Sequence, residues 1–266
     1  MAAYYRFIRR NTDADGVSVA EYEPLLPAQG AWNAHEQHMA PATGVMCAEL
    51  EAFMPRADLR IGRVGLDILG LIPLQPFSIS TKVLRPGKTI ELIEATMVAN
   101  GRACIVARAW RMQTSDTRAI AGMEDRDIKR PEDLPDWTGM QQWAGGFIES
   151  MRFKADAERR AGKGVVWLNN DLEMVEGQAT SSFVHVMGMV DTANGIVPRA
   201  KPDEWAFPNL DLHIDLLRLP QGQWLGLDTC QQYGSDGIGL TSSVLHDEIG
   251  VFGRSEQILT LRPMGK

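Results

Sequence analysis

Residues 210–234 read LDLHIDLLRLPQGQWLGLDTCQQYG. Two strands are expected here, parted by a turn at Arg218-Leu219-Pro220 and closed by Gly234. Residues 77–101, FSISTKVLRPGKTIELIEATMVANG, have the same design. Laying Arg218 on Arg85 without gaps brings Leu210 onto Phe77, Leu212 onto Ile79, Leu225 onto Leu92, Thr229 onto Thr96 and Gly234 onto Gly101. Both stretches run strand, Arg-and-Pro turn, long strand, Gly turn. A tandem duplication is the simplest account of that match.

The flanking sequence extends the repeat. Val45, Met46, Leu50 and Phe53 recur at helical steps, so a helix is expected over 41–54, ended by Pro55. TSSFVHVMGMVDTANGI (180–196) is a second helix, with Thr180, Ser181 or Ser182 as its N-cap. Each helix is followed by runs of β-rich sequence. The charged stretch after Asp116, with Pro131, Pro135 and the double glycine 145–146, reads as a connection between halves. The expected boundaries are a first domain 1–125, a linker 126–145 and a second domain 146–266. Long helices followed by antiparallel strands make the class α+β rather than α/β.

Composition narrows the function. The chain has 266 residues, with 27 Lys plus Arg against 34 Asp plus Glu, a net charge of −7. That balance argues against a general nucleic-acid binder, which needs a basic face. Cys47, Cys104 and Cys230 are far apart and form no C-x-x-C pair, as expected of a reducing, cytoplasmic setting. No stretch approaches a membrane span. No G-x-G-x-x-G, phosphate-loop lysine or G-x-S-x-G elbow is present, so neither a nucleotide cofactor nor a serine nucleophile is expected.

The chain resembles the acyl-CoA thioesterase II (TesB-like) family, a double hot-dog fold. The resemblance is carried by Leu210-Asp211-Leu212-His213, Leu217-Arg218-Leu219-Pro220 and Trp224-Leu225, and by the tail Leu245-His246-Asp247-Glu248-Ile249-Gly250 with Gly253-Arg254-Ser255-Glu256-Gln257. In the first half, Gln37-His38-Met39-Ala40-Pro41 and Leu84-Arg85-Pro86-Gly87 resemble the sister domain. The family implies hydrolysis of an acyl-CoA to free acid and CoA. A strand Asp, a Ser or Thr and a Gln together activate water, without metal, cofactor or covalent nucleophile. It also implies further assembly into a dimer or tetramer.

Carried over, Asp211 is the expected base, with Asp215 its rival on the same face. Gln257 is the expected amide. The hydroxyl position falls on Gln232, which has no hydroxyl, and Thr229 offers one three residues earlier. Asp191 is a charge in an apolar helix and needs a partner or a pocket. Backbone amides near Ser182 are candidates for polarising the carbonyl, and Arg218 or Arg254 for the CoA phosphates. Gly188 permits a close approach of a ligand or of packing. His35 and His38 have a metal-like step but no third ligand. Asp211 falls on Ser78 in the repeat, so the chemistry is expected in the second half. Two other functions remain open: an acyl-CoA-binding protein without turnover, and an enoyl-CoA hydratase, which requires an Asp and a His brought together.

Overall fold

Alternation of apolar and polar residues along each strand buries one face and leaves the other outside. In the computed structural model, which describes residues 2–264, the first half contains β1 (Ala3–Thr12), β2 (Ser18–Pro24), the helix α1 (Met39–Ala52), β3 (Leu59–Ile68), β4 (Phe77–Arg85), β5 (Ile90–Ala99) and β6 (Arg102–Gln113). A one-turn helix α2 (Gly146–Glu149) opens the second half. It continues with β7 (Arg152–Ala155), β8 (Lys163–Asn169), β9 (Glu173–Val175), α3 (Ser182–Met187) and α4 (Ala193–Ile196). The remaining strands are β10 (Trp205–Ala206), β11 (Asp211–Leu216), β12 (Leu225–Tyr233), β13 (Ile238–Asp247), β14 (Gly250–Thr260) and β15 (Arg262–Pro263). No helix among the described residues is long and apolar enough to cross a membrane.

Thirteen strands form one sheet, ordered β7-β8-β12-β13-β14-β11-β3-β6-β5-β4-β2-β1-β9. The halves meet where β11 pairs antiparallel with β3, His213 opposite Gly65 and Ile214 opposite Val64. Outward from that seam, β3-β6-β5-β4-β2-β1 is matched by β11-β14-β13-β12-β8-β7. The duplication is therefore present, but β11 corresponds to β3 and β12 to β4. The ungapped alignment of residues 77–101 with 210–234 is one strand out of step, because neighbouring strands share an alphabet. The placing of Asp211 on Ser78 goes with it.

The sheet wraps the helices. Every residue of α1 from Met39 to Cys47 is buried, as expected of a helix covered by strands on one side and by a second helix on the other. It starts and ends two residues earlier than its periodicity suggested, with Pro41 in the first turn, where a missing N–H costs nothing. The second helix is interrupted. α3 ends at Gly188, a 3₁₀ turn covers Val190–Thr192, and α4 follows. The two helical segments run antiparallel. Ser181, the N-cap of α3, donates to Glu51 at the end of α1 (2.8 Å), while Asp191 lies 3.7 Å from His38, the N-cap of α1.

Glycines set how closely the helices approach. A Cβ on Gly44 would sit 2.9 Å from the Gly188 Cα and 2.2 Å from the Met174 Cε. Gly188 thus serves packing. Gly44→Ala is expected to lower stability by about 1–3 kcal/mol, the usual cost of overpacking a filled core. Thermal or urea unfolding measures it, and an unchanged midpoint would refute this account of the helix crossing.

Candidate active site

The break in the second helix puts Asp191 at the mouth of α1. Its carboxylate is buried, with a side chain 7% exposed. Two amides hold one oxygen: Asn209 Nδ2 donates to Oδ1 at 2.8 Å and Gln257 Nε2 at 2.9 Å. The other oxygen, Oδ2, makes no hydrogen bond with the described residues. Its nearest polar neighbour is His38 Nδ1 at 3.7 Å, which already accepts the Ala40 N–H at 3.0 Å. That cap leaves the proton of the neutral ring on Nε2. Burial pushes His38 down to about 3, so the ring stays neutral, packed against Phe147 with ring centroids 4.2 Å apart and planes tilted by 34°.

Among the described residues Asp191 has no Lys or Arg partner. Burial raises its carboxyl from the ordinary value to about 6, and the hydrogen bonds from Asn209 and Gln257 offset only part of that rise. A cavity of about 620 Å³ opens beside it. Gln37, His38 and Met39 line it from the first half, Asp191, Thr192, Asn194 and Asn209 from the second. Apolar walls come from Trp32, Ile72, Met140, Trp143 and Phe207. Below, Gln231 Nε2 donates to Asn194 O (2.9 Å), Asn194 Oδ1 (3.0 Å) and Thr241 Oγ1 (3.2 Å). Asn194, which lines the cavity, is thus tied into a satisfied amide network.

The residues singled out in the sequence fall into two groups. Asp191 and Gln257 come together. Asp211 does not join them: Leu212, Ile214 and Leu216 point inward, so Asp211, His213 and Asp215 stand on the opposite face. There the Asp211 Oδ1 accepts the Ile258 N–H at 2.8 Å. Gln232 is exposed for the same reason of alternation, whereas Gln231 and Thr229 are buried. Thr229 is bonded to Ser243 at 2.7 Å rather than to Asp191 or Gln257. Ser182 opens α3 at the far end of the helix pair, beside Glu51, so its amides are remote from Asp191. Arg218 pairs with Asp247 (Nη2 to Oδ1, 2.7 Å) and the Gly250 carbonyl (2.9 Å), tying down the β13–β14 turn. Arg254 pairs with Asp125.

Asn209, Asn194 and Gln231 are the site residues that the sequence did not single out, and His38 was singled out only for its step from His35. For Gln231 the signal was present, since Leu225, Leu227, Thr229 and Gln231 alternate inward. His38 is where the first-half motif resembles the family, yet its meeting with Asp191 is visible only in three dimensions. His35 is exposed. Among the described residues no three His, Cys, Asp or Glu side chains gather as a metal site.

Comparison with known proteins bears on the same two halves. Residues 28–112 match the family model described as the acyl-CoA thioesterase N-terminal domain, and residues 126–261 match the acyl-CoA thioesterase C-terminal domain. The chain belongs to the acyl-CoA thioesterase family. Its fold is the double hot-dog. A putative thioesterase from Novosphingobium aromaticivorans superposes with a TM-score of 0.74 at 13% identity, over 96% of this chain and 98% of that one. The acyl-CoA thioesterase II TesB2 from Mycobacterium marinum gives 0.66 at 13% identity, over 97% and 96%. A dehydratase domain from the CurK module of curacin polyketide synthase gives 0.57 at 11%, over 98% of each. A search of the curated proteins found no match.

A raised carboxyl couples the site to stability. The neutral form is favoured in the fold, so stability is fully present below the ordinary Asp range and lost as pH rises through about 6. Asp191→Asn keeps the acceptor for Asn209 and Gln257 and removes the charge. It should stabilise the protein at pH 8 by about 2–3 kcal/mol, from the roughly 1.4 kcal/mol per pKa unit. That gain should shrink toward pH 4. Urea unfolding at both pH values measures it; a destabilised variant at pH 8 would contradict a desolvated, unpaired carboxylate.

Proposed function

We propose that this protein hydrolyses an acyl-CoA thioester, with Asp191 as the base that activates water. The observation that carries this reading is the free Oδ2 of a buried carboxylate, held in place through Oδ1 and facing a cavity of substrate size. A carboxylate with its pKa raised to about 6 is ionised at neutral pH yet more basic than a solvated one, which suits proton removal from attacking water. Asn209 and Gln257 are positioning residues that orient Asp191. The α1 N-terminus supplies the electrophilic element. Met39 N–H has no acceptor among the described residues, and Met39 lines the cavity, so that amide and the helix dipole meet the developing oxyanion. No covalent enzyme intermediate is invoked. Water adds to the thioester carbon, its proton passes to Asp191 Oδ2, and collapse of the oxyanion expels the CoA thiolate, which takes up that proton. Residues 1–125 and 146–266 act as two units, with residues 126–145 joining them.

A second reading rests on one observation. The His38 Nδ1 and Asp191 Oδ2 lie 3.7 Å apart across the same cavity, which is the Asp-and-His pairing that hydration of an enoyl-CoA requires.

Free-thiol release from a panel of acyl-CoAs, from acetyl to palmitoyl plus phenylacetyl, tests the first reading. Asp191→Asn is expected to lose at least about a hundredfold in kcat/KM, while Asp211→Asn stays within about threefold. The reverse ranking would return the base to Asp211. Loss of enoyl absorbance from a 2-enoyl-CoA with no thiol release would select hydration. Binding without either reaction would leave an acyl-CoA-binding protein.

The pH profile gives an independent check. Wild-type kcat/KM should rise through about pH 6 and then level. Gln257→Leu removes a donor that stabilises the ionised carboxylate, so the rise should move to higher pH. An unmoved limb would exclude Asp191 as the titrating group.

A further inference from the structure

A CoA ester carries a pyrophosphate and a ribose phosphate, and a chain of net charge −7 needs local cations to hold them. Arg218 and Arg254 are taken up by Asp247 and Asp125. Among the described residues lining the cavity beside Asp191, Arg262 is the one Lys or Arg. It is exposed and forms no ion pair or side-chain hydrogen bond with the described residues. A second cation stands close by. A Cβ on Gly70, which lines the same cavity, would lie 3.5 Å from Arg102 Nη2. Arg102 is exposed too, and its guanidinium has no partner among the described residues.

Burial shows which end of the cavity is open. Asp191, Asn194 and Phe207 are buried, whereas Trp32, Leu71, Leu210, Arg262, Pro263 and Met264 are exposed. The arginines therefore stand at the mouth and the base lies inside. The reach agrees with that order. Gln257, whose side chain holds Asp191, is five residues from Arg262, at most about 17 Å at about 3.3 Å per residue. The extended pantetheine arm spans roughly 16 Å from its sulfur to the pyrophosphate, at about 1.2 Å per bond. Leu71, Leu210 and Pro263 offer that arm apolar surface. Glu36 lines the cavity as well, and burial pushes its carboxyl up, which weakens its opposition to an anion.

Resting on the thioesterase reading for the thioester itself, we infer that Arg262 and Arg102 hold the phosphates of CoA at the cavity mouth. Arg102 comes from the first half and Arg262 from the second, so the nucleotide, like the base, is held across both halves. A thioester of pantetheine alone lacks this anchor.

The probes are S-hexyl-CoA and S-hexyl-pantetheine, thioethers that cannot be hydrolysed. In calorimetric titration the wild-type protein should bind the CoA ligand at least about tenfold tighter, the scale of one charge-assisted hydrogen bond. That preference should shrink as salt is added. Arg262→Gln and Arg102→Gln should each weaken S-hexyl-CoA about fivefold to tenfold and leave S-hexyl-pantetheine within about twofold. Arg254→Gln, whose arginine is already paired, should leave both ligands within about twofold. Equal binding of the two ligands by the wild-type protein, or no binding of either, would overturn the inference. So would Arg262→Gln and Arg102→Gln variants that keep the full preference, or an Arg254→Gln variant that alone loses it. Thiol release from hexanoyl-CoA and hexanoyl-pantetheine, run in parallel, separates this failure from that of the hydrolytic reading. A phosphate preference without any release would sink hydrolysis and keep the anchor. Release from both esters without a preference would do the opposite.

Discussion

The pairing of β3 with β11 is the contact on which the rest of the architecture depends. It turns two half-sheets into one and fixes their register through five successive residue pairs, from Asp211 with Asp67 to Asp215 with Arg63. A one-residue slip would move Leu212 and Ile214 out of the core. With the register fixed, α1 and the broken second helix are forced into antiparallel contact inside the wrap. The site follows from that contact. Neither half contains it alone, because His38, Gln37 and Met39 come from one half and Asp191, Asn209 and Gln257 from the other.

Asp191 is held in place at the expense of stability. A carboxylate without a cation is disfavoured in a low-dielectric interior, and two amide donors offset only part of the lost hydration. Apolar packing elsewhere supports it: Val45, Met46 and Leu50 on α1, and Val186, Met187 and Val190 beside Asp191, are fully buried in one core that spans both halves. The same desolvation that costs stability raises the carboxyl toward neutral pH. An arginine in contact with it would lower it again.

The fold was largely legible because its information is local. Helix start and stop, strand runs and Gly or Pro turns are written in neighbouring residues, and the strand, helix, strands order appears twice. What failed was strand correspondence between the halves, since Leu, Ile, Val and Thr recur in every strand. The site was legible only in part. Asp191 stood out because a lone charge in an apolar helix requires an explanation, and Gln257 through its tail motif. Asp211 was drawn in by its motif, although the alternation of Leu212, Ile214 and Leu216 already turns it outward. The meetings of Asp191 with His38 and Asn209 depend on the helix break at Gly188 and on the seam between halves, and neither is a property of a short window.

The two ends of the helix pair show why duplication produced one open site. Beside Ser181, the buried Glu49 is clamped by Arg10 through two bonds of 2.7 Å and by the Tyr22 hydroxyl. A guanidinium neutralises that carboxylate. At the other end the corresponding partners are neutral amides and an uncharged imidazole. They hold Asp191 without quenching it and leave one oxygen facing the cavity. The same scaffold therefore carries a closed ion pair at one end and, at the other, a buried carboxylate with one oxygen free. The choice between them rests on whether a cation, or only amides, can reach the buried acid.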